Sequence, residues 1–323
     1  MKEIPFSTVL TALTNPDQGF PSRYLPRFSD LGPDDLKALL QVWPRVPLMR
    51  KRALLRNLNE RFEEDTLLSY EAIGAEFLQD EDGDVRTLAL KLLEETTDAR
   101  LIPNLVKMIQ EDPEPESRAR AATVLGQFVR MGEMEELPAG KREIVEATLL
   151  KAAHSDHSSV ARAALEALGY SSRPELDDLI ISAFNRPDPL WRATALFAAG
   201  RSADNRWQEQ VLTGLLSEDT AVRLVAVQSA GELELKAARK ILLQMLEDET
   251  DDDVFQAVIW SLSQIGGEDV RTYLEALLAN AEDDQIEYIE EALANLAFTE
   301  DMEQFDLLAV DPDDDLDLDE DKE

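Results

Sequence analysis

The chain has 323 residues, with 67 Asp or Glu against 32 Lys or Arg, a formal net charge of −35 and no cysteine. The lack of cysteine excludes disulfides, thiolate nucleophiles and cysteine-ligated metal sites, which suits a reducing cytoplasm, and no stretch approaches the ~18 uninterrupted apolar residues of a membrane span. Residues 1–61 carry a net charge of +4, residues 62–299 one of −27 and residues 300–323 one of −12, so nucleic acid is not the expected partner.

The first predicted element is a degenerate, basic repeat that caps the N-terminal end over residues 1–61. Leucines recur there at helical spacing, and Trp43 stands beside a cluster of cations. That cluster is a candidate site for an anion, an acidic partner or the acidic end of this chain, and its members are Arg45, Arg50, Lys51, Arg52 and Arg56. The alternative is a solvated face of a capping unit.

From position 85 onward, one pattern recurs along the chain. It starts from an anchor at positions 85, 117, 160, 191, 222, 254 and 286, which lie 32, 43, 31, 31, 32 and 32 residues apart. Each unit reads as two helices separated by a short turn, and the turn before Trp191 contains two prolines, which cannot continue a helical hydrogen-bond ladder. A fixed period of this size predicts stacked helix pairs in place of one globular core.

The second helix of each unit has a charge pattern of its own. Three residues before most anchors stands an acid, which can cap the free N–H groups of the helix, and one residue after four anchors stands an arginine. We expect each arginine to bridge to the acid of the adjacent unit in a structural ladder of Asp82, Arg86, Glu114, Arg118, Asp188, Arg192, Asp219 and Arg223. A ligand-binding role for the ladder is the alternative.

The motif Asp-x-x-Val-Arg-x-x-Ala occurs from Asp82 to Ala89 and again from Asp219 to Ala226. It resembles the second helix of the HEAT repeat, and the spacing is similar to that of short bacterial HEAT-like repeats of the phycobilin-lyase type. The resemblance covers about residues 33–298. It implies an all-α, right-handed α-solenoid of about eight helix pairs, with the repeats proper over residues 62–298.

Two details of the repeat lead to separate expectations. Gly169, Gly200 and Gly231 stand where the second helices end. We expect each to adopt the left-handed backbone conformation that often ends a helix, because this conformation costs glycine the least energy. The 43-residue step holds about eleven extra residues, and the segment 132–142 would form a longer loop that contains them.

A candidate interaction surface follows from the helical register. Since a helix turns by ~100° per residue, the positions two and six residues after each anchor lie opposite the anchor face. Toward the C-terminus these positions become apolar or aromatic, namely Ala193, Phe197, Leu224, Trp260 and Tyr288. Contiguous exposed apolar patches mark interaction sites, and Trp and Tyr are favoured there. The alternative is ordinary packing.

Residues 299–323 form an acidic C-terminal tail, which is predicted to be disordered because it has little apolar surface to bury. Its alternating aspartates resemble a calcium loop, but Leu316 occupies the glycine position and Lys322 the final glutamate position. The two histidines, His154 and His157, lack an evident third ligand. We therefore predict neither a metal nor a cofactor.

No catalytic motif was found in the sequence, and the chain is predicted not to be an enzyme. The leading interpretation is a cytoplasmic, non-catalytic scaffold or adaptor that holds a segment of another protein on the inner face of the solenoid. The alternative, which rests on the type of repeat alone, is a chromophore-lyase-like subunit or a chaperone-like factor.

Overall fold

The computed structural model describes residues 4–65, 67–281 and 283–307, and within these ranges the regular structure is entirely helical. The chain divides into two compact units, Met1–Pro187 and Asp188–Glu323. The prediction of an all-α solenoid is confirmed, since the described residues form helix pairs that pack in chain order within each unit.

The first unit contains ten α-helices in the described residues, with short 3₁₀ segments at Ser22–Phe28 and Trp43–Arg45. The α-helices are α1 (Phe6–Thr14), α2 (Pro33–Val42), α3 (Leu48–Glu64), α4 (Glu71–Phe77), α5 (Gly83–Lys91), α6 (Ile102–Glu111), α7 (Pro115–Glu133), α8 (Ala139–Ala152), α9 (Ser158–Leu168) and α10 (Glu175–Phe184). Helices α3, α5, α7 and α9 pack side by side in succession, and α4, α6 and α8 each pack against the helix that follows.

The second unit repeats this arrangement. Its described helices are α11 (Pro189–Arg201), α12 (Gln208–Leu215), α13 (Thr220–Glu232), α14 (Arg239–Asp248), α15 (Asp252–Ile265), α16 (Glu268–Leu278) and α17 (Asp283–Leu307), with a 3₁₀ turn at Asn205–Trp207. Helices α11, α13, α15 and α17 form one stack, which we call the inner stack by analogy with HEAT arrays, and α12, α14 and α16 pack on the helix that follows each of them. Helix α17 continues nine residues past residue 298, where the sequence pattern ends the repeats. Residues 308–323, the rest of the acidic tail, lie outside the described residues.

Side-chain caps explain where several inner helices begin. The carboxylates of Asp82, Asp219 and Asp251 each accept a hydrogen bond from the backbone N–H three residues later, at 3.1 Å. Asp188 caps α11 through the N–H of Leu190, while Glu114 makes no side-chain cap to α7. A cap of this kind stabilises a helix by about 1 kcal/mol.

The recurring glycines do not have the predicted role. Gly169, Gly200 and Gly231 all lack a positive φ, and only Gly266 and Gly267 have one among the described glycines. At Gly200 and Gly231 the small residue is needed because the neighbouring helix approaches closely. A Cβ on Gly200 would lie 3.1 Å from the Cα of Ser229, and one on Gly231 would lie 2.9 Å from the Cα of Ser261.

Replacement of Gly231 by alanine should therefore lower the free energy of unfolding by about 1–3 kcal/mol, since the added methyl group forces α13 away from α15. Urea denaturation measures the change. Gly140 is the control, because a Cβ there meets nothing within 4 Å. An equal effect of the two alanines would contradict the close-approach explanation.

The predicted long loop at 132–142 is also wrong. The extra residues lengthen two helices, so that α7 has 19 residues and α8 has 14, and only residues 134–138 connect them. Leu137 in this connection is buried. The insertion therefore lengthens the helix pair and leaves a connection of five residues.

Candidate interaction groove

Three of the five residues predicted to bind a partner lie together on one surface. Leu224 of α13, Trp260 of α15 and Tyr288 of α17 line a groove of about 520 Å³. The remaining lining residues are Gln228, Asp253, Gln256, Ala257 and Glu291. The groove therefore crosses three successive inner helices of the second unit.

The helical register explains why these side chains meet. On α13 the anchor Val222, together with Ala226 and Ala230, is buried in the stack. Positions two and six residues after the anchor then point away from the core, and the stacking of α13, α15 and α17 places the equivalent positions side by side. Trp260 remains 45% exposed within this surface, which is unusual for a side chain of its size.

The groove is acidic. Asp253 and Glu291 line it, and neither a lysine nor an arginine does so among the described residues. Residues 241–299 contain 15 Asp or Glu and a single cation, Arg271. A groove with walls of one charge favours a partner segment of the opposite charge.

Two candidates do not line the groove. Ala193 and Phe197 stand on α11 at the equivalent positions, but both are half-buried. The guanidinium of Arg201 lies over the ring of Phe197, 4.0 Å from its centroid. A cation–π contact of this kind covers the ring face, and it could not be foreseen from spacing because Arg201 lies outside the recurring motif.

Most of the lining residues that the sequence did not predict are polar, and the exception is Ala257. Gln256 stands two residues after its anchor and so has the same register as Leu224, whereas Asp253 and Glu291 stand at other positions of their helices. Gln256 was not predicted because it is polar, and only the apolar residues at this register were taken as candidates. The two acids carried no separate signal in a chain with 67 acidic residues.

Three of the five residues of the predicted cationic cluster are bound by other groups of the chain. Arg50 donates to the backbone carbonyls of residues 12, 13, 15 and 18 and so ties α3 to the segment after α1. Lys51 pairs with Asp80 at 2.9 Å and Arg52 with Asp82 at 2.6 Å. Only Arg45 and Arg56 remain exposed. The first repeat thus uses these cations for packing, which differs from the predicted open patch.

The arginine ladder forms with a different set of acids. Arg86 binds Asp112 through two hydrogen bonds of 2.7 Å, and Arg223 binds Glu249 through bonds of 3.0 and 3.1 Å. Each of these acids lies five residues before the anchor of the next unit. The acids expected to pair lie three residues before that anchor: Asp251 caps its helix, and Glu114 neither caps a helix nor pairs with Arg86. The ladder was therefore predicted with the wrong register.

The other members of the predicted ladder have separate surroundings. Arg118 donates to the carbonyl oxygen of Asp112 at 2.7 Å. The Nε of Arg192 is buried without a hydrogen-bond partner. Asp188 and Asp219 cap helices α11 and α13.

The ion pair between Arg223 and Glu249, which is one rung of the ladder, should make the free energy of unfolding depend on pH. Burial disfavours the charged form of Glu249, but hydrogen bonds from Arg223 and from the N–H groups of Asp251 and Thr250 outweigh it and hold the pKa of Glu249 below its usual value. Because the folded pKa is the lower one, this stabilisation is complete above the unfolded pKa, about 4.3, and is lost as the pH falls through the folded pKa.

Replacement of Glu249 by glutamine should therefore lower the free energy of unfolding by about 1–2 kcal/mol at neutral pH, and the difference from the wild type should shrink below pH ~4. Urea denaturation at pH 7 and at pH 3 measures both values. A difference that stays constant across this range would contradict the ion-pair explanation.

No cluster of three or more His, Asp or Glu side chains suited to a metal ion is present among the described residues. His154 and His157 lie at the turn between α8 and α9, and both are exposed. None of the helices in the described part of the chain is long and apolar enough to cross a membrane.

Comparison with known proteins gives matches to a repeat family and to several solved structures. The family model for HEAT repeats matches residues 71–139 and 209–294. No curated protein sequence matches the chain.

Three solved structures show the range of the structural similarity. The YibA protein of E. coli is 18% identical with a TM-score of 0.46, over 87% of this chain and 98% of that one. Human deoxyhypusine hydroxylase is 20% identical with a TM-score of 0.37, over 82% and 96%. Importin beta is 14% identical with a TM-score of 0.43, over 90% of this chain and 41% of that one. The resemblance inferred from the sequence is confirmed by the family match: the chain carries HEAT repeats at residues 71–139 and 209–294, one region in each compact unit.

Proposed function

We propose that the protein is a non-catalytic scaffold or adaptor, and that the groove across α13, α15 and α17 holds a segment of another protein. The observation that carries this proposal is the exposed Trp260, which shares an acidic groove with Leu224 and Tyr288. HEAT repeats generally mediate protein–protein interactions, and a large aromatic side chain at the centre of a concave surface is the usual anchor of such an interface.

The chemistry of the groove defines the partner segment. An apolar or aromatic side chain of the partner would pack on Trp260 and Leu224, where burial of apolar surface contributes about 25 cal/mol per Å². Lysine or arginine side chains on the same segment would lie near Asp253 and Glu291. A basic amphipathic segment, helical or extended, therefore fits this groove.

The test compares three forms of the protein as bait in the native lysate. The wild type is compared with Trp260→Ala and with the control Leu216→Ala, which removes a leucine that is 73% exposed but lies outside the groove. A groove partner is a protein retained by the wild type and by the control but lost by Trp260→Ala. Its binding region is then synthesised as a peptide and titrated against all three forms.

The proposal also requires the identified segment to be basic. Replacement of both Asp253 and Glu291 by lysine should lower the affinity for the peptide about tenfold or more at low salt. The decrease should be smaller at high salt, because exposed charges are screened. A partner set that is the same for all three baits, or a bound segment without cations, would overturn the proposal.

A further inference from the structure

The ladder described above has an acceptor position that recurs in five units; in the unit of α10 and α11 the same position holds Arg186, which cannot accept a hydrogen bond. The residue five before the anchor accepts a hydrogen bond from the backbone N–H two residues later, through its own side chain. The residues at this position are Asp80, Asp112, Ser155, Ser217 and Glu249. The shared hydrogen bond shows that these five positions are structurally equivalent, so the position holds a carboxylate in three units and a serine in two.

A complete rung uses the whole guanidinium. In Arg86, the Nη1 atom donates to the carbonyls of residues 80 and 81, while Nε and Nη2 bind the two oxygens of Asp112. Arg223 divides its donors in the same way between the carbonyls of residues 217 and 218 and the carboxylate of Glu249. This two-pronged pairing is the strongest geometry for an arginine and a carboxylate.

The rung that starts at Arg118 is only half complete. Its Nη1 atom donates to the carbonyls of residues 112 and 113, as the pattern requires. The acceptor position holds Ser155, and no carboxylate in the described part of the chain pairs with Arg118. Arg192 likewise has Ser217 at the acceptor position, and its Nε is buried without a partner. A serine is thus too short to replace the carboxylate.

Arg118 differs from Arg192 because it borders a cavity. The cavity has a volume of about 480 Å³ and lies among α6, α7, α8 and the turn before α9. Lys151 and His154 line it together with Arg118 and Ser155, and Asp156 is its one acidic lining residue. Lys151 is exposed and has no ion-pair partner among the described residues. Cations therefore outnumber acids in this cavity, although the whole chain is acidic.

We propose that this cavity binds a carboxylate group of an acidic peptide segment, which takes the place of the missing acid in the Arg118 rung. The two free donors of the guanidinium would hold the carboxylate in the geometry seen at Asp112 and Glu249, and Lys151 would contribute a second positive charge. At physiological ionic strength the Debye length is about 8 Å, so repulsion from distant acids is screened while these direct contacts are not.

The test uses full-length protein and a fluorescein-labelled peptide, acetyl-Glu-Glu-Leu-Glu-Glu-amide, followed by fluorescence anisotropy at fixed ionic strength. Ser155→Asp supplies the missing carboxylate from the chain itself and should weaken peptide binding at least about tenfold. Ser155→Ala changes the same residue without adding an acid and should bind as the wild type does. Thermal unfolding should show a higher midpoint for Ser155→Asp than for both other forms.

Competition separates the sources of the carboxylate. Displacement of the peptide by millimolar succinate but not by chloride supports a carboxylate site that free dicarboxylates also reach, and binding of the peptide without competition by succinate supports a site specific for a peptide segment. Stronger competition by inorganic phosphate than by succinate would overturn the carboxylate assignment. Equal binding by Ser155→Asp and the wild type, or no binding by either, would overturn the site itself.

Discussion

Replacement of Trp260 by alanine should weaken the binding of the groove partner by about 30-fold, which corresponds to about 2 kcal/mol, in a protein that remains folded. The indole is the largest exposed apolar surface in the groove, so it contributes to binding more than to folding. Titration of the isolated partner peptide measures the affinity, and urea denaturation measures the free energy of unfolding.

Leu216→Ala is the matched control for this prediction. It also removes an exposed apolar side chain from the second unit, but from a residue outside the groove. We expect its affinity to equal that of the wild type. If Trp260→Ala bound the peptide as tightly as Leu216→Ala, the groove would not be the binding surface. If Trp260→Ala were unfolded under the conditions of the titration, the loss of binding would have a different explanation.

Replacement of Arg86 by methionine should lower the free energy of unfolding by about 3–5 kcal/mol. Arg86 is 8% exposed, and its removal leaves the carboxylate of Asp112, whose side chain is 5% exposed, as a buried charge without its counter-charge. The same change also removes donors from the carbonyls of residues 80 and 81. Chemical denaturation of the variant and of the wild type gives the difference.

Arg118→Met tests the cause of that loss. Arg118 occupies the equivalent position and makes the equivalent carbonyl contacts, but no carboxylate of the described chain depends on it. Its replacement should therefore cost only about 1 kcal/mol. Similar losses for both variants would mean that the carbonyl contacts, and not the ion pair, stabilise the ladder.

Much of the fold could be predicted because the relevant signals are local and repeated. The constant spacing of the anchors and the alanine four residues after most of them indicate helices that stack closely, and Ala89, Ala195 and Ala226 are indeed buried. The same register brought Leu224, Trp260 and Tyr288 together, because equivalent positions on stacked helices are neighbours.

The errors concern contacts that depend on turn geometry or on distant chain segments. The acid that completes a rung was assigned two residues too late, since the turn between the helices of the next unit decides which carboxylate reaches the guanidinium. Arg50 appeared free because its acceptors are carbonyls of residues 12–18, which side-chain patterns do not reveal. Gly200 and Gly231 were misassigned because the neighbouring helix, and not the local backbone, requires a glycine there.

Photo-crosslinking from inside the groove shows whether the groove holds a segment of another protein. A photoreactive phenylalanine derivative introduced at position 256, between Leu224 and Tyr288 in the groove lining, is irradiated in the native lysate and compared with the same derivative at position 216, outside the groove. The proposed function predicts a crosslink to a basic segment of one partner from position 256 and none to that segment from position 216. Crosslinks to the same segment from both positions, or none from position 256, would contradict it.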